Sequence, residues 1–255
     1  MSESWEGKRI LVTGASSGIG TAAAELFIGA GASVALAGRR EGPLLELSKK
    51  DSKGRAFAIV GDLAKDADAE MTLTRAVEQL GGLDVLVNSA GIIGSGSVEN
   101  TTPADWDRMM NINLRSVFLL TKLAAPHLEA SKGNIVNVSS VAGVRCFPGV
   151  AAYCVSKAAL DQLTRCSALD LAPKGIRVNA VNPGVVVTGL HRSGGMSAEA
   201  YASFLEHSKE THPLGRWGEA SEIAELIFFL ASEKAGWITG AIVSIDGGRA
   251  LTCLR

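Results

Sequence analysis

With 255 residues, 47% of them apolar, the chain can form one large α/β domain with a sizeable core. Its formal net charge of −1 gives no basic surface for nucleic acid, and no apolar run approaches the ~20 residues of a membrane span. Four cysteines (Cys146, Cys154, Cys166, Cys253) without C-x-x-C spacing point to reduced thiols in a cytoplasmic protein, and residues 1–8 lack the apolar stretch of a secretory signal.

The first strand is predicted at 9–13. It runs into Thr13-Gly14-Ala15-Ser16-Ser17-Gly18-Ile19-Gly20 and a helical pattern over 19–30. A glycine-rich turn between strand and helix lets the backbone approach a pyrophosphate at the positive helix N-terminus. The spacing is G-x-x-x-G-x-G, and alone it reads equally as a tight turn; its place after the first strand favours phosphate. A second strand, 33–37, ends on Gly38-Arg39-Arg40, where an acid binding the ribose hydroxyls of NAD is expected. Two guanidinium groups suit a 2′-phosphate instead, and predict NADP(H). The plainer alternative is a solvated charge pair.

The alternation continues with a helix at 43–50, a strand at 56–60, a helix at 66–80 and a strand at 84–88. A long helix is predicted at 104–130, then a strand at 134–138, a helix at 151–171 and a strand at 176–182. A helix at 220–230 and a strand at 242–245 close the pattern. Continuous apolar strands separated by helices predict a single-domain, doubly wound Rossmann α/β fold over 1–255, its seven-stranded parallel sheet flanked by helices. Residues 188–217 break the rhythm with three of the four histidines and the longest insertion, expected to be a lid over the strand ends.

Tyr153 and Lys157 stand four apart on the predicted 151–171 helix, hence on one face. Tyr-x-x-x-Lys alone is a common accident. Ser140 lies thirteen residues earlier, with Ser139 an equal local candidate; Asn113 lies in the long helix, with Asn111 as its competitor. A free phenol with a pKa near ~10 is a poor base at neutral pH. An ammonium one helical turn away can sit near that phenol and a cofactor ribose. A serine hydroxyl can hold the substrate oxygen.

In this order, these residues resemble the short-chain dehydrogenase/reductase family over nearly the whole chain, nearest to its 3-oxoacyl carrier-protein reductase-like branch. Residues 13–20 resemble its glycine turn, and Asn88-Ser89-Ala90-Gly91 its N-N-A-G motif with serine in place of the second Asn. Asn113, Ser140, Tyr153 and Lys157 match its catalytic tetrad, which implies Tyr153 as general acid/base, its phenolate favoured by the Lys157 ammonium and a nicotinamide cation. The resemblance implies dinucleotide contacts from Gly14, Ser16, Ser17, Gly18, Ile19 and Gly20, with Arg39 and Arg40. It adds Asp62 and Leu63 at the adenine, then Asn88, Ala90 and Gly91. Pro183, Gly184, Val186 and Thr188, with Tyr153 and Lys157, would face the nicotinamide. Trp237-Ile238-Thr239-Gly240 and Asp246-Gly247-Gly248 resemble its C-terminal signature. It also implies a water held by Asn113, no metal, and a homotetramer or homodimer paired through the helices near 104–130 and 151–171.

Substrate walls are expected from Val141, Ala142, Val144, Arg145, Cys146, Phe147 and Val150, and from the lid. Their apolar character suits a small-molecule ketone, or its secondary alcohol, of hydrophobic kind. Arg145, or His191 with Arg192, could instead meet an anion, although solvated loop charges explain them as well. Two alternatives stand beside this reading: an NAD-preferring dehydrogenase, and a silent dinucleotide sensor.

Overall fold

The computed structural model describes residues 4–252; Cys253 lies outside them. Its strands are β1 (Arg9–Thr13), β2 (Ser33–Gly38), β3 (Ala56–Val60), β4 (Val85–Asn88), β5 (Asn134–Val138), β6 (Arg177–Pro183) and β7 (Ile242–Ile245). All pairings are parallel, in the order β3-β2-β1-β4-β5-β6-β7. The helices are α1 (Gly18–Gly29), α2 (Glu41–Ser48), α3 (Asp66–Leu80), α4 (Pro103–Met110), α5 (Ser116–Ser131), α6 (Ala151–Leu171), α7 (Leu190–Ser193), α8 (Ala198–Thr211) and α9 (Ala220–Ala231). This is the seven-stranded Rossmann-type sheet expected from the alternation.

The strands read as continuous apolar runs because both faces are covered. Successive side chains alternate across the pleat. Ile10 and Val12 of β1, Val34 and Leu36 of β2, and Val85 and Val87 of β4 pack with Phe27 of α1 and with Ile223 and Ile227 of α9. Leu11, Ala35, Leu86 and Ile135 face the other way, against Leu73 of α3 and Leu120 and Leu128 of α5. Each fully buried side chain of this kind contributes roughly 1.5–3 kcal/mol. Trp5 seals the first layer, its ring 4.9 Å from Phe27 and 4.7 Å from Phe228.

Strand order reverses between β1 and β4, so a crevice opens above their carboxyl ends, where such sheets bind ligands. The seam beneath it is pinned at both ends. Below, Arg9 donates through its backbone N and its Nε to Asp84 Oδ2, both at 2.8 Å. Above, Thr13 Oγ1 donates to Val87 O and accepts from Ser89 N (3.1 Å) and Ala90 N (3.2 Å). The bond at position 89 comes from its backbone and so does not depend on serine's side chain.

Most predicted boundaries move by one or two residues. The exception is the helix expected over 104–130, which is broken by a π-helical turn, Asn111–Arg115, where Ser116 N donates five residues back to Asn111 O. Such widened turns often mark functional sites. The 188–217 insertion folds into α7 and α8, the latter capped by Ser197, whose hydroxyl accepts from Ala200 N at 3.2 Å. No helix among the described residues is long and apolar enough to cross a membrane.

Candidate active site

Above the seam lies a cavity of about 810 Å³, walled on one side by the β1–α1 turn and on the other by the ends of β5 and β6 and by residues of 188–211. The turn is built for close approach. Gly14 and Gly18 hold φ of +67° and +58°, in the left-handed region that glycine reaches at no steric cost. A Cβ on Gly14 would sit 2.8 Å from Ala90 N, and one on Gly20 would overlap the Gly14 carbonyl oxygen. Across the crevice, a Cβ on Gly18 would come within 3.0 Å of Thr188 Cγ2. With α1 starting at Gly18, this cradle fits a pyrophosphate at a helix N-terminus.

Gly14, Ser16, Ser17, Gly18 and Ile19 line the cavity, as do Asp62, Leu63, Ala90 and Gly91. Pro183, Gly184, Val186 and Thr188 line it from the β6 side. Two expected contacts do not reach it. Gly20 is buried in α1, where its lack of a side chain makes room for the turn. Asn88 is 2% exposed and donates its amide to Asn137 Oδ1 at 2.9 Å. Both arginines are exposed and line the cavity: Arg40 Nη2 donates to Ser16 O at 2.7 Å and braces the turn, while Arg39 lies beside Gly38. A Cβ on Gly38 would stand 3.2 Å from Ser16 Oγ, so the strand end, that hydroxyl and Arg39 share one corner.

The tetrad residues converge at the opposite wall. Tyr153 and Lys157 sit on the buried side of α6, with Lys157 Nζ 5.9 Å from the Tyr153 ring centre. The phenol and the Ser140 hydroxyl both line the cavity, and Ser140 Oγ accepts from Ala142 N at 3.1 Å. Ser139 also lines the cavity, but its hydroxyl donates to Lys157 O at 3.2 Å. Asn113, on the π-turn, is fully buried and accepts from Ile92 N (2.8 Å) while donating to Ile92 O (2.9 Å) and Ser156 Oγ (3.0 Å). Asn111 points elsewhere, to Ala64 O. A Cβ on Gly91 would lie 3.4 Å from Asn113 Oδ1 and 3.6 Å from Lys157 Nζ, so both groups border one spot. Burial pushes the Tyr153 phenol up against the opposing Ser140 bond. Burial also draws the Lys157 ammonium down to about 8, against the pull of Asp161 one turn further on.

Asp161 was not foreseen. It is 2% exposed, accepts from Asn182 Nδ2 at 2.9 Å, and is held above the usual carboxylate range by burial. Only its i+4 spacing from Lys157 hints at it in the sequence. His212 was also missed: its Nε2 accepts from Val185 N at 3.1 Å and its Nδ1 bonds Ser208 O at 2.7 Å, tying α8 to the loop after β6. Tyr201 adds to this, donating to Thr188 O at 3.1 Å.

The substrate wall differs in part from expectation. Val141, Ala142, Phe147 and Val150 line the cavity, but Val144, Arg145 and Cys146 do not. Val144 and Cys146 are exposed, and Arg145 is drawn towards the chain end by the carbonyls of Ala250 and Thr252. His191 reaches the cavity with its ring 4.7 Å from Phe204, and burial holds its pKa low, in the uncharged form. Arg192 instead rests on Tyr201, 5.6 Å from the ring centre. Cys154 is buried, and burial raises its thiol pKa, which suits packing. No cluster of metal-ligating side chains occurs among the described residues.

A cradle shaped for diphosphate, continuous with a site that can hold and protonate an oxygen, serves redox chemistry on a nucleotide carrier. The class is that of the dinucleotide-dependent oxidoreductases. The family described as enoyl-(acyl carrier protein) reductase matches residues 14–250. An uncharacterized oxidoreductase of Thermotoga maritima is 43% identical, over 96% of this chain and 98% of its own. The 2-(S)-hydroxypropyl-CoM dehydrogenase 3 of Xanthobacter autotrophicus is 41% identical, over 97% and 98%. A short-chain dehydrogenase/reductase of unknown function from Caenorhabditis elegans, solved with cofactor, superposes with a TM-score of 0.91 at 36% identity, covering 98% of this chain and 97% of that one. The chain belongs to the short-chain dehydrogenase/reductase family, which uses nicotinamide dinucleotides, and is an oxidoreductase of alcohol and ketone groups.

Proposed function

We propose that this protein is an NADP(H)-dependent enzyme interconverting a ketone and a secondary alcohol, with Tyr153 as its general acid/base. The observation that carries this is Tyr153 lining the same cavity as Ser140, Lys157 and the glycine cradle, with Lys157 Nζ 5.9 Å from its ring centre. Gly14 and residues 16–19 would hold the pyrophosphate, Asp62 and Leu63 the adenine, and Lys157 with 183–188 the nicotinamide end. Arg39, exposed in the corner shared with Gly38 and Ser16, supports recognition of a 2′-phosphate.

When bound, the dinucleotide supplies or accepts hydride. Ser140 holds the substrate oxygen, and Tyr153 Oη delivers a proton to it in reduction or removes one in oxidation. The Lys157 ammonium stabilises the phenolate, offsetting the burial that opposes its formation. Asn113 acts behind them, where it borders the Lys157 Nζ beside Gly91. The 188–217 segment is read as a lid, since its residues roof the cavity over Ser140 and Tyr153. Assembly into homotetramers through the helical layer is supported by exposed Phe118 on α5 and exposed Val155 and Leu169 on α6.

One kinetic experiment tests the reading: a panel of ketones with NADPH or NADH, followed by loss of reduced-cofactor absorbance. Tyr153→Phe is expected to bind NADPH normally and to lose roughly 10²–10⁴ in turnover. Arg39→Ala is expected to narrow a wild-type preference for NADPH. Turnover retained by Tyr153→Phe would assign the proton elsewhere, and equal use of NADH by wild type would reject the phosphate assignment. NADPH binding without turnover across the panel would leave a sensor.

A further inference from the structure

Among the charged side chains that line the cavity, Asp105, Arg108 and Arg249 have no part in the chemistry above, and Arg249 stands beside Phe147. Arg249 follows the last strand directly, in the turn after Asp246-Gly247-Gly248, and reaches the cavity that holds Ser140 and Tyr153. Its guanidinium lies 5.1 Å from the centre of the Phe147 ring, and Phe147 packs against the apolar cluster around Tyr153. Phe147 is thus the spacer between the reacting end of the cavity and this cation.

The cation is poorly satisfied where it stands. Its Nη1 donates to Thr211 O at 3.5 Å and to Thr252 Oγ1 at 3.2 Å, both uncharged acceptors. Nε and Nη2 have no acceptor among the described residues, although a guanidinium carries five N–H donors. A second guanidinium crowds it: Arg145 Nη2 donates to Thr252 O at 3.2 Å, on the same residue. Burial and this neighbour both pull the Arg249 pKa down. Arg9, Arg55, Arg115 and Arg216 each face a carboxylate. Of the half-buried arginines, Arg145, Arg177 and Arg249 face none among the described residues, and of these three only Arg249 lines the cavity. The acid nearest in sequence, Asp246, accepts instead from Gly248 N at 2.9 Å and Ala250 N at 2.7 Å. Two adjacent cations held by uncharged acceptors attract an anion, and the planar guanidinium edge matches a carboxylate, sulfonate or phosphate.

We propose that Arg249 binds an anionic group carried by the substrate, so that the ketone or alcohol taken by this enzyme is an acid whose charged end lies past Phe147 while its oxygen meets Ser140 and Tyr153. This rests on the oxidoreductase reading above and narrows its substrate class. Arg145 backs the site without entering the cavity.

The test compares methyl ketones bearing a terminal carboxylate, at graded chain lengths, with their methyl esters. At the fitting length, wild type with NADPH is expected to favour the acid by at least about tenfold in kcat/KM, with the difference in KM. Added salt should erode the preference. Arg249→Met should raise KM for the acid about tenfold or more and shift the ester far less, and Arg249→Lys should restore part of the loss. A separate measurement titrates the same acids and esters into Tyr153→Phe saturated with NADPH, which reads the charged end without the chemistry. If no acid binds more tightly than its ester there, or if Arg249→Met weakens both alike, the proposal is wrong. Were turnover absent while that binding preference stood, the failure would fall on the proton assignment and not on Arg249.

Discussion

The Lys157 ammonium is buried, donates to Val138 O at 2.9 Å, and has its pKa drawn down from 10.5 to about 8. Burial disfavours the charged form, so the folded state binds this proton less tightly than the unfolded chain does. The cost is present in full below the folded value and is relieved as pH rises from about 8 towards 10.5. Compared with Lys157→Met, wild type should therefore gain stability over that interval, read as the difference in urea unfolding free energy at several pH values without cofactor. A difference flat with pH would show that the lysine is not desolvated as described. The variant should also be inactive, separating what the residue does for turnover from what it costs the fold. Spacing places Tyr153 and Lys157 on one helix face, and only the resemblance to a family singled them out. Spacing could not orient the rest, since Ser139 and Ser140, or Asn111 and Asn113, differ only in which way a strand end or a π-turn aims them.

At the level of elements, Gly20 shows why context outweighs propensity. It lies within α1, where replacing glycine by alanine ordinarily gains about 1 kcal/mol. Here the added Cβ would overlap the Gly14 carbonyl oxygen, and backbone cannot swing aside as a side chain end does. Gly20→Ala is thus expected to destabilise the protein by ~1–3 kcal/mol and to weaken NADPH binding, measured by thermal melting and fluorescence titration. A more stable variant with unaltered affinity would contradict the described packing of the turn. Strands and helices were legible because both follow from apolar periodicity. The break at Asn111–Arg115 was not, since the residues NINLR carry no proline or glycine and the extra residue in the turn is set by what Asn113 bonds across the gap.

For the whole molecule, what the sequence hid depends on distance along the chain. Arg249 enters the cavity from the far end of the fold, beyond any motif, and Arg145, which looked available for an anion, is diverted by the carbonyls of Ala250 and Thr252. Outer surfaces also wait on the three-dimensional arrangement: Phe118 is 52% exposed and Leu169 78% exposed, each on a long helix whose opposite face is core. Light scattering on the purified protein is expected to give a multiple of the 26.5 kDa chain, four for a homotetramer, and Phe118→Glu should lower it. A monomeric wild type would set the reading of that surface aside.

The seam between β1 and β4 decides how this cleft can adapt. Its two walls rise from neighbouring strands in unbroken register, Ile10 beside Val85 through Thr13 beside Asn88, stapled by Arg9 below and Thr13 above. Such a cleft has no hinge. Its floor does not swing as two bodies, which leaves adjustment to a guest to the segments that line it, residues 188–211 and Arg249 among them. Evolution can rewrite that canopy for a new molecule while the floor that carries the chemistry stays as it is.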